Sequence, residues 1–171
     1  TLAVPKLVPK ERELQSGYTW QELADYKGIV HIPYNASTMS IFEQYTSNIP
    51  LFFPSHDFLK EIRAKYSESG VMSELSWNQV FNYSSNSSIF VGLNDPNNYK
   101  NNDMMMRWTK LADFYDQENM PHIQHFDSID HLSYLINTVD TDEVSEKMRL
   151  HNKVRREDIY GKWNNILEKL K

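Results

Sequence analysis

Two short apolar runs, at 29–33 and 49–53, bracket a stretch in which small polar residues give way to helical spacing. Continuous runs of this length, built from Ile, Val, Leu and Phe, suit strands buried on both faces. Between them, residues 34–40 read as a loop rich in Asn, Ser and Thr, and residues 41–47 as a helix carrying one acid, Glu43. Upstream, Thr19-Trp20-Gln21-Glu22 has the spacing of a capping box and opens a short helix to about residue 26, which Gly28 is placed to end. Downstream, Ser55 reads as the N-cap of a helix to about residue 66, with Phe58, Leu59 and Ile62 on one face and Gly70 as its stop. Strands alternating with helices predict an α/β fold with a parallel sheet and crossover helices.

The remaining pattern is less regular. Residues 1–16 mix Pro, Lys and Glu without a period and read as an extended lead-in or linker. Residues 74–83 are expected to be helical or irregular, 88–93 to form a third strand, and 94–98, Asn-Asp-Pro-Asn-Asn, to form a loop. A helix is expected over 104–115, a fourth strand over 122–126, and a helix from near Ser128. From 142 to 170 the chain is strongly charged, yet Val144, Met148, Ile159, Trp163, Ile166, Leu167 and Leu170 recur at helical spacing, so one or two amphipathic helices should close it.

Composition narrows the classes. With 171 residues, 40% of them hydrophobic and 13% aromatic, the chain can bury the core of one ordinary domain. A net charge of −5 and a pI near 5.7 argue against nucleic acid as a partner. No apolar run reaches the roughly 18 residues of a membrane span, and the first residues lack a signal-peptide core. The absence of cysteine removes disulfides, thiolate catalysis and cysteine metal sites. A cytoplasmic chain is expected; the three Asn-x-Ser triplets at Asn35, Asn82 and Asn86 are what an Asn- and Ser-rich sequence produces by chance.

The candidate chemistry lies at 35–43. A helix that starts after a small polar loop offers free backbone N–H groups and the positive end of its dipole, which favour a nucleotide or another phosphorylated ligand. Glu43 has two readings: the acid of a capping box opened by Ser40, or a carboxylate for ribose hydroxyls. Tyr34, next to the loop, is a candidate contact for a base or sugar. His122, His125 and His131, with Asp127 and Asp130, suggest a metal, but strand alternation puts His122 and His125 on opposite faces, and no metal site is expected. Met104 to Met106 and Trp108 read as core. Lys147, Arg149, Lys153, Arg155 and Arg156, interrupted by acids, read as a solvated face with local ion pairs. Neither G-x-G-x-x-G nor G-x-x-x-x-G-K-S/T occurs.

The segment HIPYNASTMSIFEQYTSNIPLFFPS, about 28 residues with its flanks, resembles the C-terminal nucleotide-sugar half of GT-B glycosyltransferases. The parts are a strand at 29–33, a small polar loop at 35–40, Phe42-Glu43 on the helix, and the Asn48-Ile49-Pro50 turn into the next strand. The resemblance implies a Rossmann-like parallel sheet with flanking helices over 17–140, followed by C-terminal helices over 141–171. It also implies a donor diphosphate held by Ser37, Thr38, Met39 and Ser40, with the ribose on Glu43. Many retaining members carry a second glutamate with seven residues between it and the first; here that position is Asn35, which keeps hydrogen-bonding capacity for a donor sugar but not the charge. The diphosphate-binding Arg and Lys common in retaining members are not recognisable in Lys6, Lys10 or Arg12. The implied activity is transfer of a sugar from a nucleoside diphosphate sugar to a sugar or glycan hydroxyl, without a separate cofactor. An N-terminal acceptor domain of the same polypeptide would complete the cleft, and no catalytic residue is assigned. The alternative is a non-catalytic Rossmann-like module that binds a nucleotide or a protein.

Overall fold

A computed structural model describes residues 7–8, 17–36, 38–66, 71–72 and 102–170. Among these, three strands form one parallel sheet in the order β1 (Ile29–Val30), β2 (Leu51–Pro54), β3 (Gln124–Phe126). Ile29 aligns with Leu51, Val30 with Phe52, and Phe53 with His125. Helices α1 (Trp20–Ala24), α2 (Met39–Thr46), α3 (His56–Lys65), α4 (Asn102–Thr109), α5 (Ile129–Thr138) and α6 (Thr141–Lys169) complete the elements, with a 3-10 turn at Asp113–Tyr115. The expected elements at 74–83 and 88–93 lie outside the described residues, as do Ser67 to Gly70 and most of the lead-in.

All four residues of β2 are buried, which explains why its run is continuously apolar. Alternation sends Leu51 and Phe53 to one face, where they pack with Ile41 and Tyr45 of α2 and Val144 and Met148 of α6. Phe52 goes to the other face with Phe126 and Leu132 of α5. A smaller cluster joins Leu59 of α3 to Met106 of α4 and to Met72. On the first face an aromatic column runs from His31 onto Phe53 and on to Phe114, with centroids 4.7 and 4.5 Å apart.

Several local signals form as expected. Thr19 and Glu22 close a reciprocal capping box, Ser55 Oγ accepts the Phe58 N–H, and Ser128 Oγ accepts the His131 N–H. Gly28 has a different job from the one expected. The helix before it ends at Ala24, and a Cβ at Gly28 would lie 2.8 Å from the Pro50 carbonyl oxygen and 2.9 Å from the Phe52 ring. The position is small because β1 and β2 meet there.

The Asn48-Ile49-Pro50 turn also has a physical cause. Asn48 takes a left-handed φ of 62° just past the end of α2. Its N–H donates to the Tyr45 carbonyl (2.9 Å), and the Ile49 N–H donates to the Gln44 carbonyl (3.2 Å). This is a Schellman ending, with Asn standing where Gly is commonest. Asn152 of α6 secures it: Nδ2 donates to the Tyr45 carbonyl (3.0 Å) and to Asn48 Oδ1 (2.8 Å).

The closing region is one helix of 29 residues, capped by Asp140. Its first half is seated, with Val144, Met148 and Asn152 buried. Ile159, Trp163, Ile166 and Leu167 of its second half, and Leu170 just past its end, whose spacing suggested an apolar contact face, are exposed. The expected 104–115 helix likewise ends at Thr109, and Phe114 reaches the core from the separate 3-10 turn.

Candidate functional site

The chain leaves β1 at the carboxyl end of the sheet, where open α/β sheets gather their ligands, and enters α2 after an eight-residue loop, 31–38. Thr38, in an extended conformation (φ −127°, ψ 117°), is the N-cap, and its side chain makes no capping hydrogen bond. The Ile41 N–H is taken by the Thr38 carbonyl (3.1 Å), while the N–H groups of Met39 and Ser40, bonded to nothing among the described residues, keep the anion-binding capacity of an uncapped helix start. By contrast, α1, α3, α5 and α6 all begin with a side-chain oxygen bonded to their first-turn amides.

This geometry removes one of the two readings of Glu43, the capping box opened by Ser40. Ser40 is already helical and cannot be the N-cap, so the expected capping box does not form. Glu43, the fifth residue of α2, is exposed, and its carboxylate makes no hydrogen bond or ion pair among the described residues. Tyr34 and Met39 are exposed, at 47% and 73%, while Asn35, Thr38 and Ser40 are half-buried. Ser37 lies outside the described residues.

Neighbouring residues that sequence reasoning did not single out hold this edge in place. His31, the first residue after β1, donates its backbone N–H to the Phe52 carbonyl (2.8 Å). Its Nε2 donates to Gln44 Oε1 (2.7 Å) on the buried face of α2. Gln44 is only 2% exposed, and this bond satisfies its carbonyl while tying strand to helix. The only sequence hint was an amide on the apolar side of α2. Tyr45 donates its hydroxyl to the Pro121 carbonyl (3.0 Å), and burial pushes its pKa up to about 12, so it remains a donor at neutral pH. At the end of β2, Tyr115 donates to the Pro54 carbonyl (2.8 Å) and His56 Nε2 donates to the Met106 carbonyl (2.7 Å).

The histidine-rich segment does not assemble as a metal centre. His125 Nε2 donates to the Phe114 carbonyl (3.0 Å) while its ring stacks on Tyr115. His131 Nδ1 accepts the Asp127 N–H (3.2 Å), and His122, at a φ of 71°, is outside the strand. Among the described residues no three His, Asp or Glu side chains converge as a metal ion would require. Burial holds His125 below its ordinary pKa, so it is neutral at physiological pH.

Among the described residues, no helix is long and apolar enough to cross a membrane. No family model, curated protein or solved structure matches the chain.

Proposed function

We propose that this chain is the donor-binding part of a GT-B-type glycosyltransferase, a Rossmann-like domain that holds a nucleoside diphosphate sugar while its sugar passes to a hydroxyl acceptor. The observation that carries this reading is the uncapped start of α2 after β1, with Glu43 unpaired one turn further on. Parallel pairing of β1 with β2 on either side of α2 supports it.

Amides at Ser37, Thr38, Met39 and Ser40 take the diphosphate oxygens in this account. Glu43 accepts hydrogen bonds from the ribose, Asn35 meets a hydroxyl of the donor sugar, and Tyr34 lies against the base or sugar. Negative charge grows on the diphosphate as the glycosidic bond breaks, and donors already aimed at it lower the barrier. Glu43 orients the donor and moves no proton. Acceptor binding and any general base belong to an N-terminal acceptor domain of the same polypeptide.

Calorimetric titration with UDP, GDP and the parent nucleosides tests the reading. Saturable binding of one diphosphate, lost when the diphosphate is removed, is the expected result. A folded chain that binds neither diphosphate, or binds nucleoside equally well, overturns it.

A further inference from the structure

At the far end of α2 from the proposed donor site, the Schellman turn and α6 enclose a cleft of about 500 Å³ lined by Asn48, Arg149, Asn152, Lys153, Arg156 and Tyr160, with Glu157 as its one acid. The basic stripe of this helix divides on inspection. Lys147 is paired with Glu143 (2.6 Å) and Arg149 with Glu146 (2.6 Å), whereas Lys153 and Arg156 make no ion pair among the described residues. Cations three and four residues apart on one helix face repel one another unless an anion lies between them.

The floor of the cleft is already rigid. Asn152 is 7% exposed, and both hydrogens of its amide are committed, to the Tyr45 carbonyl and to Asn48 Oδ1. Ser145 Oγ donates to the Asn48 carbonyl (2.8 Å). Asn48 is thus fixed with its Oδ1 engaged, and its own Nδ2 donates to nothing among the described residues. The negative end of the α2 dipole would oppose an anion here, but the carbonyls of Gln44 and Tyr45 are occupied by the turn and by Asn152.

We infer that this cleft is a second, separate anion site, taking a phosphate group on Lys153 and Arg156 with the Asn48 amide as a further donor. Its size accommodates a small phosphorylated molecule, with Tyr160 offering a ring to the rest of the ligand.

The test is titration of pyrophosphate at constant ionic strength, followed through the amide resonances of the labelled chain, with a Lys153→Gln/Arg156→Gln variant alongside. Both side chains are exposed, so the variant is expected to fold. Saturable shifts at the Asn48 side-chain amide and across 149–157, weakened at least about tenfold in the variant, are the result expected. Shifts confined to 35–43, or shifts at 149–157 that survive the double substitution, overturn the inference. The two arms read different residues, so failure here leaves the donor-site reading standing, and failure at 35–43 leaves this one standing.

Discussion

Gly28→Ala perturbs the closest approach in the sheet, and its cost can be worked from the structure. The added Cβ would lie 2.8 Å from the Pro50 carbonyl oxygen, 2.9 Å from Phe52 Cε2 and 3.4 Å from Pro50 Cβ. The carbonyl cannot easily withdraw, because it accepts the Ile29 N–H at 2.9 Å and so holds the first bond between β1 and β2. The Phe52 ring is 3% exposed and packed with Phe126 and Leu132. Overpacking of this kind costs about 1–3 kcal/mol, and a weakened ladder bond adds about 1. A stiffer unfolded chain offsets about 0.4–1 kcal/mol. The net expectation is destabilisation by roughly 1–3 kcal/mol. In urea, with a slope of about 2 kcal/mol/M, the midpoint should fall by roughly 0.5–1.5 M at an unchanged slope. Gly161→Ala is the control, since nothing lies within 4 Å of its Cβ position and it sits inside α6, where Ala favours the helix by about 1 kcal/mol. A Gly28→Ala midpoint equal to or above the parent's would refute the reasoning.

Other outcomes follow from the same contacts. Asn152→Ala removes both bonds that lock the end of α2 and should cost about 2–3 kcal/mol by chemical denaturation, whereas a surface change would stay within about 0.5 kcal/mol. Because His125 titrates below its ordinary 6.5, the unfolded chain binds more protons than the folded one as pH falls from that value towards the lowered folded pKa. Stability should therefore drop through this window, and His125→Gln should flatten that part of the pH–stability curve; an identical slope in the variant would count against burial of the neutral ring. Glu43→Ala should leave the thermal midpoint within about 1 °C, because the side chain caps nothing, and a fall of several degrees would restore the capping reading.

What could be read from sequence was what is local. Thr19 with Glu22, Ser55 and Ser128 announce their helices because a cap and the amides it meets lie within three residues. The parallel α/β arrangement was legible from the continuous runs around 29–33 and 49–53, although only Ile29 and Val30 of the first pair as strand. Gly28 was misread because a helix stop and a close strand contact call for the same residue, and only the position of Pro50 tells them apart. The start of α2 was misplaced by two residues because Thr38 and Ser40 are equally good caps on paper. That small shift changes Glu43 from a cap acid into an unpaired carboxylate. The His31–Gln44 bond spans 13 positions and depends on the strand–helix packing, so no local rule could supply it. The exposed end of α6 was hidden for the opposite reason: apolar spacing predicts a contact face but not whether anything lies under it.

The most direct test of the donor-site account is a double cycle on the ribose contact, pairing Glu43→Ala with the 2′,3′-dideoxy form of whichever diphosphate binds. Each change alone should weaken binding roughly tenfold to a hundredfold, and the two together should weaken it no further, because they remove the same hydrogen bonds. Effects that simply add, or an affinity indifferent to Glu43, would contradict the assignment of Glu43 to the donor ribose.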